Sequence, residues 1–291
     1  MKIVRDGLTR EGWQAAAMPL QQSWAYGEVL SRLGATVGRV GLVTPSGARG
    51  VAQVTRRRIG PVRFSLLSRG PVWDGAAPTA GEEAAALRAL GRAFRPLLAT
   101  SERDGPGVAL VTPRHRAHLD LTADPATLRA RFDGKWRNRL TRAEGEGLCL
   151  RVGRPDPAAV AWLLHQDAAL QRARGYRALP APFTRAWLAF DPAAAVVAEA
   201  RIGGRRVAAM LFLLHAPWAS YPVGWSGEAG RRSNAHALLL WQAMLRLREE
   251  GCTVLDLGDV DTERAPGLAR FKIGTGAPVA RLGATVLLPP W

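Results

Sequence analysis

The sequence predicts an α/β (α+β) protein in which one mixed unit is used twice. Three observations predict it. The chain has 291 residues, 47% of them hydrophobic and 22% charged, which allows one large soluble domain or two of about 100–150 residues each. Apolar spacing switches repeatedly between a period of two and a period near 3.6 along the chain. An order of hairpin, strand, long helix and strand runs from Val37 to Val111 and recurs from Val196 to Leu257.

The elements follow in order. Met18-Pro19-Leu20-Gln21-Gln22-Ser23-Trp24 leads into a helix over 25–34, where Trp24, Val29, Leu30 and Leu33 keep helical spacing and Gly34 ends it. Two alternating runs, 36–43 and 48–57, flank Thr44-Pro45-Ser46-Gly47 and predict a hairpin. Residues 64–68 form a further strand, 80–98 an Ala- and Leu-rich helix, and 108–111 a short strand. In the second half, 125–143 reads as a helix with a basic face, 148–152 as a strand, and 157–174 and 182–190 as helices. Runs 194–201 and 206–215 form a hairpin about Gly203-Gly204. A strand over 220–224 precedes the strongest helix, 233–250, which Gly251 stops. A strand over 254–257 ends at Gly258, and the last strand lies near 280–288. The expected domains are 1–120 and 121–291.

Composition excludes several classes. Cys149 and Cys252 sit in apolar surroundings without ligand spacing, so both read as small core residues and no metal site is expected. No apolar run approaches the ~20 residues of a membrane span, and the first residues lack a signal-peptide core. The expected location is cytoplasmic. The net charge of +16 favours a polyanionic partner: tRNA, a nucleotide-linked sugar, a phosphate-bearing coenzyme or an anionic membrane face. Lysine occurs only at Lys2, Lys135 and Lys272, and every other basic residue is arginine. The five histidines (His115, His118, His165, His215, His236) have no serine or cysteine partner in a nucleophile elbow. That argues for direct transfer in a ternary complex rather than a covalent intermediate.

Four motifs occur in order: Gln21-Gln22-Ser23-Trp24, Gly70-Pro71-Val72-Trp73, Asp256-Leu257-Gly258 and Gly267-Leu268-Ala269-Arg270-Phe271-Lys272. With a basic helix near the middle and a long helix after the central strands, the chain resembles the Fem-type aminoacyltransferase family and its GNAT-like relatives over nearly its whole length. The resemblance implies two tandem GNAT-like acyltransferase domains, each a mixed, mostly antiparallel twisted sheet flanked by helices, in a compact form without a long helical arm. It implies an aminoacyl or acyl group moved onto an amine, with aminoacyl-tRNA as donor and a peptidoglycan-precursor peptide as acceptor.

The resemblance also assigns residues. Lys272, as against a solvated surface lysine, is expected beside the transferred carbonyl, where an ammonium steadies the tetrahedral oxyanion. Asp259 and Asp256 flank a strand end, where either takes a proton from the attacking amine, binds it, or simply caps a turn. On the basic helix, Lys135, Arg137 and Arg139 are phosphate- or tRNA-facing candidates, with Trp136 stacking on a base or ring. Gly227-Glu228-Ala229-Gly230-Arg231-Arg232-Ser233-Asn234 enters the long helix where CoA-using GNAT enzymes cradle pyrophosphate. It retains Arg231, Ser233 and Asn234 but lacks the familiar glycine order, and Ser233 or Asn234 also reads as a helix cap. Gln171-Arg172-Ala173-Arg174-Gly175-Tyr176-Arg177 resembles an acceptor-cleft segment, with Arg174 and Tyr176 binding an acceptor carboxylate or phosphate. Trp24 is expected as a cleft wall and Phe271 beside the lysine.

No tightly bound cofactor is expected. The alternative donor is acyl-CoA or an acyl carrier, serving lipid or exopolysaccharide chemistry; a further alternative is a non-catalytic RNA-binding relative. A phosphate-bearing or lipid-linked acceptor and a peripheral contact with the inner membrane face are compatible with the charge.

Overall fold

The predicted order of hairpin, strand, helix and strand is present twice, once in each of two units. The computed structural model describes residues 1–14, 17–75, 77–176 and 178–289. The chain opens with β1 (Lys2–Val4), α1 (Arg10–Gln14), α2 (Trp24–Arg32), β2 (Val37–Val43), β3 (Arg49–Ile59), β4 (Val62–Ser68), β5 (Val72–Asp74), α3 (Ala80–Ala93), β6 (Leu97–Thr100) and β7 (Val108–Val111). It continues with β8 (His115–Asp120), α4 (Pro125–Ala130), α5 (Gly134–Glu144), β9 (Cys149–Gly153), α6 (Pro157–Arg174), α7 (Ala181–Phe190), β10 (Ala195–Ile202) and β11 (Arg205–His215). Then come β12 (Trp218–Ser226), α8 (Glu228–Arg232), α9 (Ala235–Glu249), β13 (Val254–Asp259), α10 (Pro266–Ile273), β14 (Val279–Arg281) and β15 (Thr285–Leu288).

The first unit comprises Met1–His115 and Ala280–Trp291. Its sheet runs β1-β2-β3-β4-β6-β15-β7, with β5 added to β3. β4 and β6 are parallel, joined by the crossover helix α3, whose Thr79–Glu82 capping box satisfies its first turn. Ala86, Leu87 and Leu90 of α3 pack with Val40, Leu42, Val54 and Leu67 of the sheet. The helix expected over 80–98 stops at Ala93, because Pro96 removes a donor and clashes with the preceding turn. The residues beyond it form β6, so the strand closing the first repeat is β6 and not β7.

The second unit is Arg116–Val279. Its sheet runs β9-β10-β11-β12-β13-β8-β14. β12 and β13 are its parallel pair, bridged by α9, whose Leu239, Leu240, Ala243, Met244 and Leu247 are fully buried. β2-β3-β4-α3-β6 and β10-β11-β12-α9-β13 are therefore the same motif. The last strand, expected in the second domain, pairs instead in the first sheet, between β6 and β7. The corresponding place beside β13 is taken by β8, which the sequence reading left unassigned and within its first domain.

The helix expected over 125–143 is two helices. Asp133 breaks and recaps it: its carboxylate accepts from Trp136 N–H at 2.6 Å, and its own N–H donates to Gly274 O at 2.9 Å. In α5 the buried residues are Trp136, Leu140 and Ala143, at spacings of four and three. Trp136, expected to stack on a base, is instead a core residue with 1% exposure. Cys149, expected in the core, is exposed, whereas Cys252 is buried.

Candidate active site

β12 and β13 pair over three rungs, Trp218↔Val254, Ala219↔Leu255 and Ser220↔Asp256. Beyond them β12 stays on β11 as far as Ser226, and β13 stays on β8 as far as Asp259. The two parallel strands therefore part at their carboxyl ends, where open α/β sheets bind ligands. In the first unit the equivalent strands remain zipped: β4 and β6 pair to Ser68↔Thr100, and Gly70 N–H donates to Thr100 O at 3.3 Å. The chemistry-bearing residues gather around the open pair.

β13 is bent there. Its register on β8 shifts between Asp256 and Gly258, a bulge that re-aims the strand end. Gly258 sits at φ +85°, and its N–H donates to Asp256 Oδ1 at 2.8 Å. A Cβ at Gly258 would lie 3.4 Å from Lys272 Nζ and 3.9 Å from an Arg116 guanidinium nitrogen, so the glycine lets the cation approach the backbone.

Asp256 is 1% exposed. Arg116, from β8, forks onto it with Nη2 at 3.0 and 3.1 Å and Nε at 3.3 Å. The remaining guanidinium nitrogen, Nη1, reaches Asp259 Oδ1 at 2.6 Å. His118 Nε2 lies 3.8 Å from Asp256 Oδ1. One arginine thus holds two aspartates either side of the bulge. Asp256 is committed to that lattice, whereas the Asp259 side chain is 41% exposed and within reach of solvent.

Lys272 enters from α10. It is 5% exposed, and its ammonium donates to Asp259 O at 2.7 Å. Burial, and then the Arg116 charge, push its pKa down to about 8, against the opposing pull of Asp259 and Asp256. Asp259 O is its one hydrogen-bond acceptor among the described residues. Phe271 is anchored beside it: its carbonyl accepts from Trp136 Nε1 at 3.1 Å, and its ring centroid lies 5.9 Å from that of Trp136 and 6.1 Å from that of His236. His236, in the first turn of α9, bonds Trp225 O through Nε2 at 2.9 Å, and burial lowers its pKa.

On the β12 side stands Tyr221, the first residue beyond the last shared rung, its hydroxyl packed against Gly224. Tyr176 donates to Asp167 Oδ1 at 3.1 Å, and Asp167 is 4% exposed. Burial, then Asp167, push the Tyr176 phenol up to about 12. Burial raises the Tyr221 phenol as well, with smaller contributions from Tyr176 and Asp167. Both phenols stay protonated at neutral pH, and the Tyr176 proton is committed to Asp167.

The other expected residues are dispersed. Lys135, Arg137 and Arg139 lie on the exposed face of α5, and Arg137 donates to Ala130 O at 3.0 Å. Arg174 is exposed at the end of α6, and Arg177 of the same segment lies outside the described residues. Arg231 is exposed and donates to Ser226 O at 2.8 Å. The cap expected from Ser233 or Asn234 is not formed. The Ser233 hydroxyl donates back to Ala229 O at 3.0 Å, and Asn234, at φ +53°, makes no side-chain cap bond. The short α8 ahead of them draws the serine toward its own carbonyls. Trp24, in the first unit, lies under the Arg39 guanidinium at 3.7 Å and edge-on to Trp13 at 6.0 Å. Its motif neighbour Gln22 is wholly buried, exchanging hydrogen bonds with the Gln53 backbone at 3.1 and 2.8 Å and donating to Ser68 O at 2.8 Å.

Sequence reasoning missed Arg116, His118, Asp167, Tyr221 and His236. A signal for the first two exists: Arg116-Ala117-His118-Leu119-Asp120-Leu121 alternates strictly, and Ala117, Leu119 and Leu121 are the buried half.

Comparison with known proteins defines the class. Residues 129–272 match the acetyltransferase (GNAT) domain family. That span contains the parted strands and ends on Lys272, so the second unit carries a GNAT acetyltransferase-type domain. The whole chain has the tandem, Fem-type form of that fold. It resembles the crystal structure of FemX, with a TM-score of 0.74 and 13% identity over 97% of this chain and 96% of that one. It also resembles a C-terminal domain assigned to a lysylphosphatidylglycerol synthetase of Agrobacterium fabrum (TM-score 0.56, 17% identity, 94% of this chain and 89% of that one). A tandem GNAT protein from the clavulanic acid biosynthesis pathway has a TM-score of 0.50 and 14% identity over 88% of this chain and 84% of that one. No curated protein matches by sequence.

Proposed function

We propose that this acyltransferase moves an aminoacyl group from aminoacyl-tRNA to an amine acceptor, by direct attack in a ternary complex, and that Lys272 is its electrostatic catalyst. The observation that carries the reading is the buried ammonium, with a single hydrogen-bond acceptor among the described residues, beside the end of the parted strand β13. Aminolysis of an ester develops negative charge on the carbonyl oxygen. A fixed cation in a dry site lowers that barrier, by about 3–4 kcal/mol for one good donor. Asp259, the more accessible of the two aspartates, is the group proposed to take the proton from the attacking amine, directly or through water. Arg116 positions it, and Asp256 anchors Arg116. Tyr221 and Arg174 supply donors suited to an anionic acceptor, in keeping with a peptidoglycan-precursor peptide, while the Tyr176 hydroxyl is held by Asp167. Fold likeness to FemX and to a lysylphosphatidylglycerol synthetase domain supports an aminoacyl donor.

The second reading is an acyl-CoA donor, favoured by the match to an acetyltransferase domain family. Incubation of the purified protein with a charged-tRNA pool, or with a set of acyl-CoAs, and with candidate amines separates the two by mass spectrometry. Transfer that ceases on RNase treatment supports the first reading. Transfer that ignores RNase and requires acyl-CoA overturns it. If Lys272→Met leaves the rate unchanged, the catalytic assignment fails with either donor.

A further inference from the structure

The β3–β4 hairpin of the first unit carries none of the residues proposed for the transfer chemistry, yet its surface is unusual. The strands pair Arg56↔Ser65, Arg57↔Phe64, Arg58↔Arg63 and Ile59↔Val62 around a Gly60-Pro61 turn. At the tip Ile59 is 71% exposed and Val62 58% exposed. One rung behind the aliphatic pair stand Arg58 and Arg63, and within two further rungs Arg57 and Arg56. At roughly 3.3 Å per residue, the four guanidinium-bearing positions fall within about 10 Å of the aliphatic pair. A groove of about 760 Å³ runs along the hairpin base, where Arg95 adds a fifth arginine and no acidic residue contributes to the lining. None of the five arginines forms a salt bridge among the described residues.

We propose that this hairpin docks the protein on an anionic phospholipid surface, with Ile59 and Val62 entering the head-group boundary and the arginines behind them holding lipid phosphates. The order of groups along the hairpin is the order of environments across a membrane interface: apolar tip first, cations at phosphate depth next. The backbone suits the position. Pro61 has no N–H to leave unsatisfied, and the Gly60 carbonyl already accepts from Arg58 Nε at 2.7 Å. An RNA duplex would satisfy the arginines but would leave two aliphatic side chains facing phosphate and water, so the tip selects lipid over nucleic acid. Docking of this kind would keep the enzyme beside an acceptor carried in the bilayer. It is independent of which donor the active site uses.

The test is vesicle co-sedimentation of the full-length protein without donor or acceptor, so its outcome is separate from that of the transferase reading. Vesicles of phosphatidylcholine alone are compared with vesicles in which phosphatidylglycerol makes up roughly a third of the lipid. The wild type is expected to bind the anionic vesicles, to release them in high salt and to ignore the neutral ones. Ile59→Ser with Val62→Ser should weaken binding about tenfold with the charge intact. Arg56→Gln with Arg58→Gln and Arg63→Gln should abolish the preference for anionic lipid. All these positions are exposed, and an unchanged thermal midpoint establishes that each variant folds. Absence of wild-type binding, equal binding to both vesicle types, or full binding by the serine variant overturns the proposal. So does loss of tRNA binding in the arginine variant with vesicle binding retained, which would make the patch an RNA surface.

Discussion

At the scale of single residues, the site depends on a bulge and the cation beside it. Gly258 adopts φ +85° against Lys272 and Arg116, so Gly258→Ala places a side chain in a disfavoured backbone region and crowds both cations. A left-handed conformation costs a non-glycine residue about 1–2 kcal/mol. A urea midpoint lowered accordingly, together with slower transfer, is the expected result; an unchanged midpoint would mean that the bulge relaxes freely. Lys272 sets a pH dependence. Its pKa of about 8 lies below the ordinary lysine value, so the ammonium proposed to catalyse transfer is present at neutral pH and is lost as pH rises through 8. Lys272→Arg keeps its charge over that range. The ratio of wild-type to Lys272→Arg rates should therefore fall above pH 8, and the ratio cancels ionisation of the attacking amine. A flat ratio from pH 7 to about 9.5 would show that no proton on Lys272 is used. Lys272 was a candidate through the resemblance of Phe271-Lys272 to a family motif, and its rarity in an arginine-rich chain drew notice to it. Arg116, 140 positions from Asp256 in the chain, was not legible, since its role is defined wholly by a partner that β-pairing brings to it.

At the scale of elements, the junction between α4 and α5 seats the base of the candidate active site. Asp133 caps α5, and its N–H holds Gly274, the residue after α10. Gly274 packs so closely that an added Cβ would lie 2.7 Å from the Asp133 carboxylate and 3.0 Å from the Trp136 ring. Asp133→Ala should cost about 1–2 kcal/mol through the lost cap and loosen the α10 end that carries Lys272. The expected signature is a lower thermal midpoint and a lower kcat; if kcat is untouched, the cap is stabilising only. Helix existence was readable here from apolar spacing, and α6, with Pro157 at its start and Gly175 at its end, was bounded correctly. The break at 131–133 was not, because apolar periodicity nearly persists across it. The expected Ser233 or Asn234 cap failed for a related reason: α8 occupies the preceding turn and claims the serine hydroxyl. Tryptophan in a basic helix was equally ambiguous, since only the direction of the α5 face distinguishes a stacking surface from the core.

At the scale of the whole chain, the two copies of the motif differ at the ends of their parallel strands. β4 and β6 stay paired to their ends, whereas β12 and β13 part, and the cluster of candidate site residues accompanies the parted pair. The C-terminal strand β15 completes the first sheet between β6 and β7, with Val286 and Leu288 buried. Ending the chain after Ala284 removes both side chains, worth about 1.5–3 kcal/mol each, and leaves β7 without its partner. Hydrogen exchange should then show lost protection in β6 and β7 with protection retained in β10–β12. Uniform loss across both sheets would mean that the two units unfold as one.

The duplicated element order and the α/β class were already present in the one-dimensional pattern, and the candidate lysine in the motif resemblance. Periodicity, turn residues and residue rarity are local properties, and they survive without knowledge of contacts. The place of β15, the parting of β12 from β13, and the Arg116–Asp256–Asp259 lattice beneath Lys272 emerged only on folding. Each depends on which distant segments share hydrogen bonds and exclude water, and no local spacing encodes that choice.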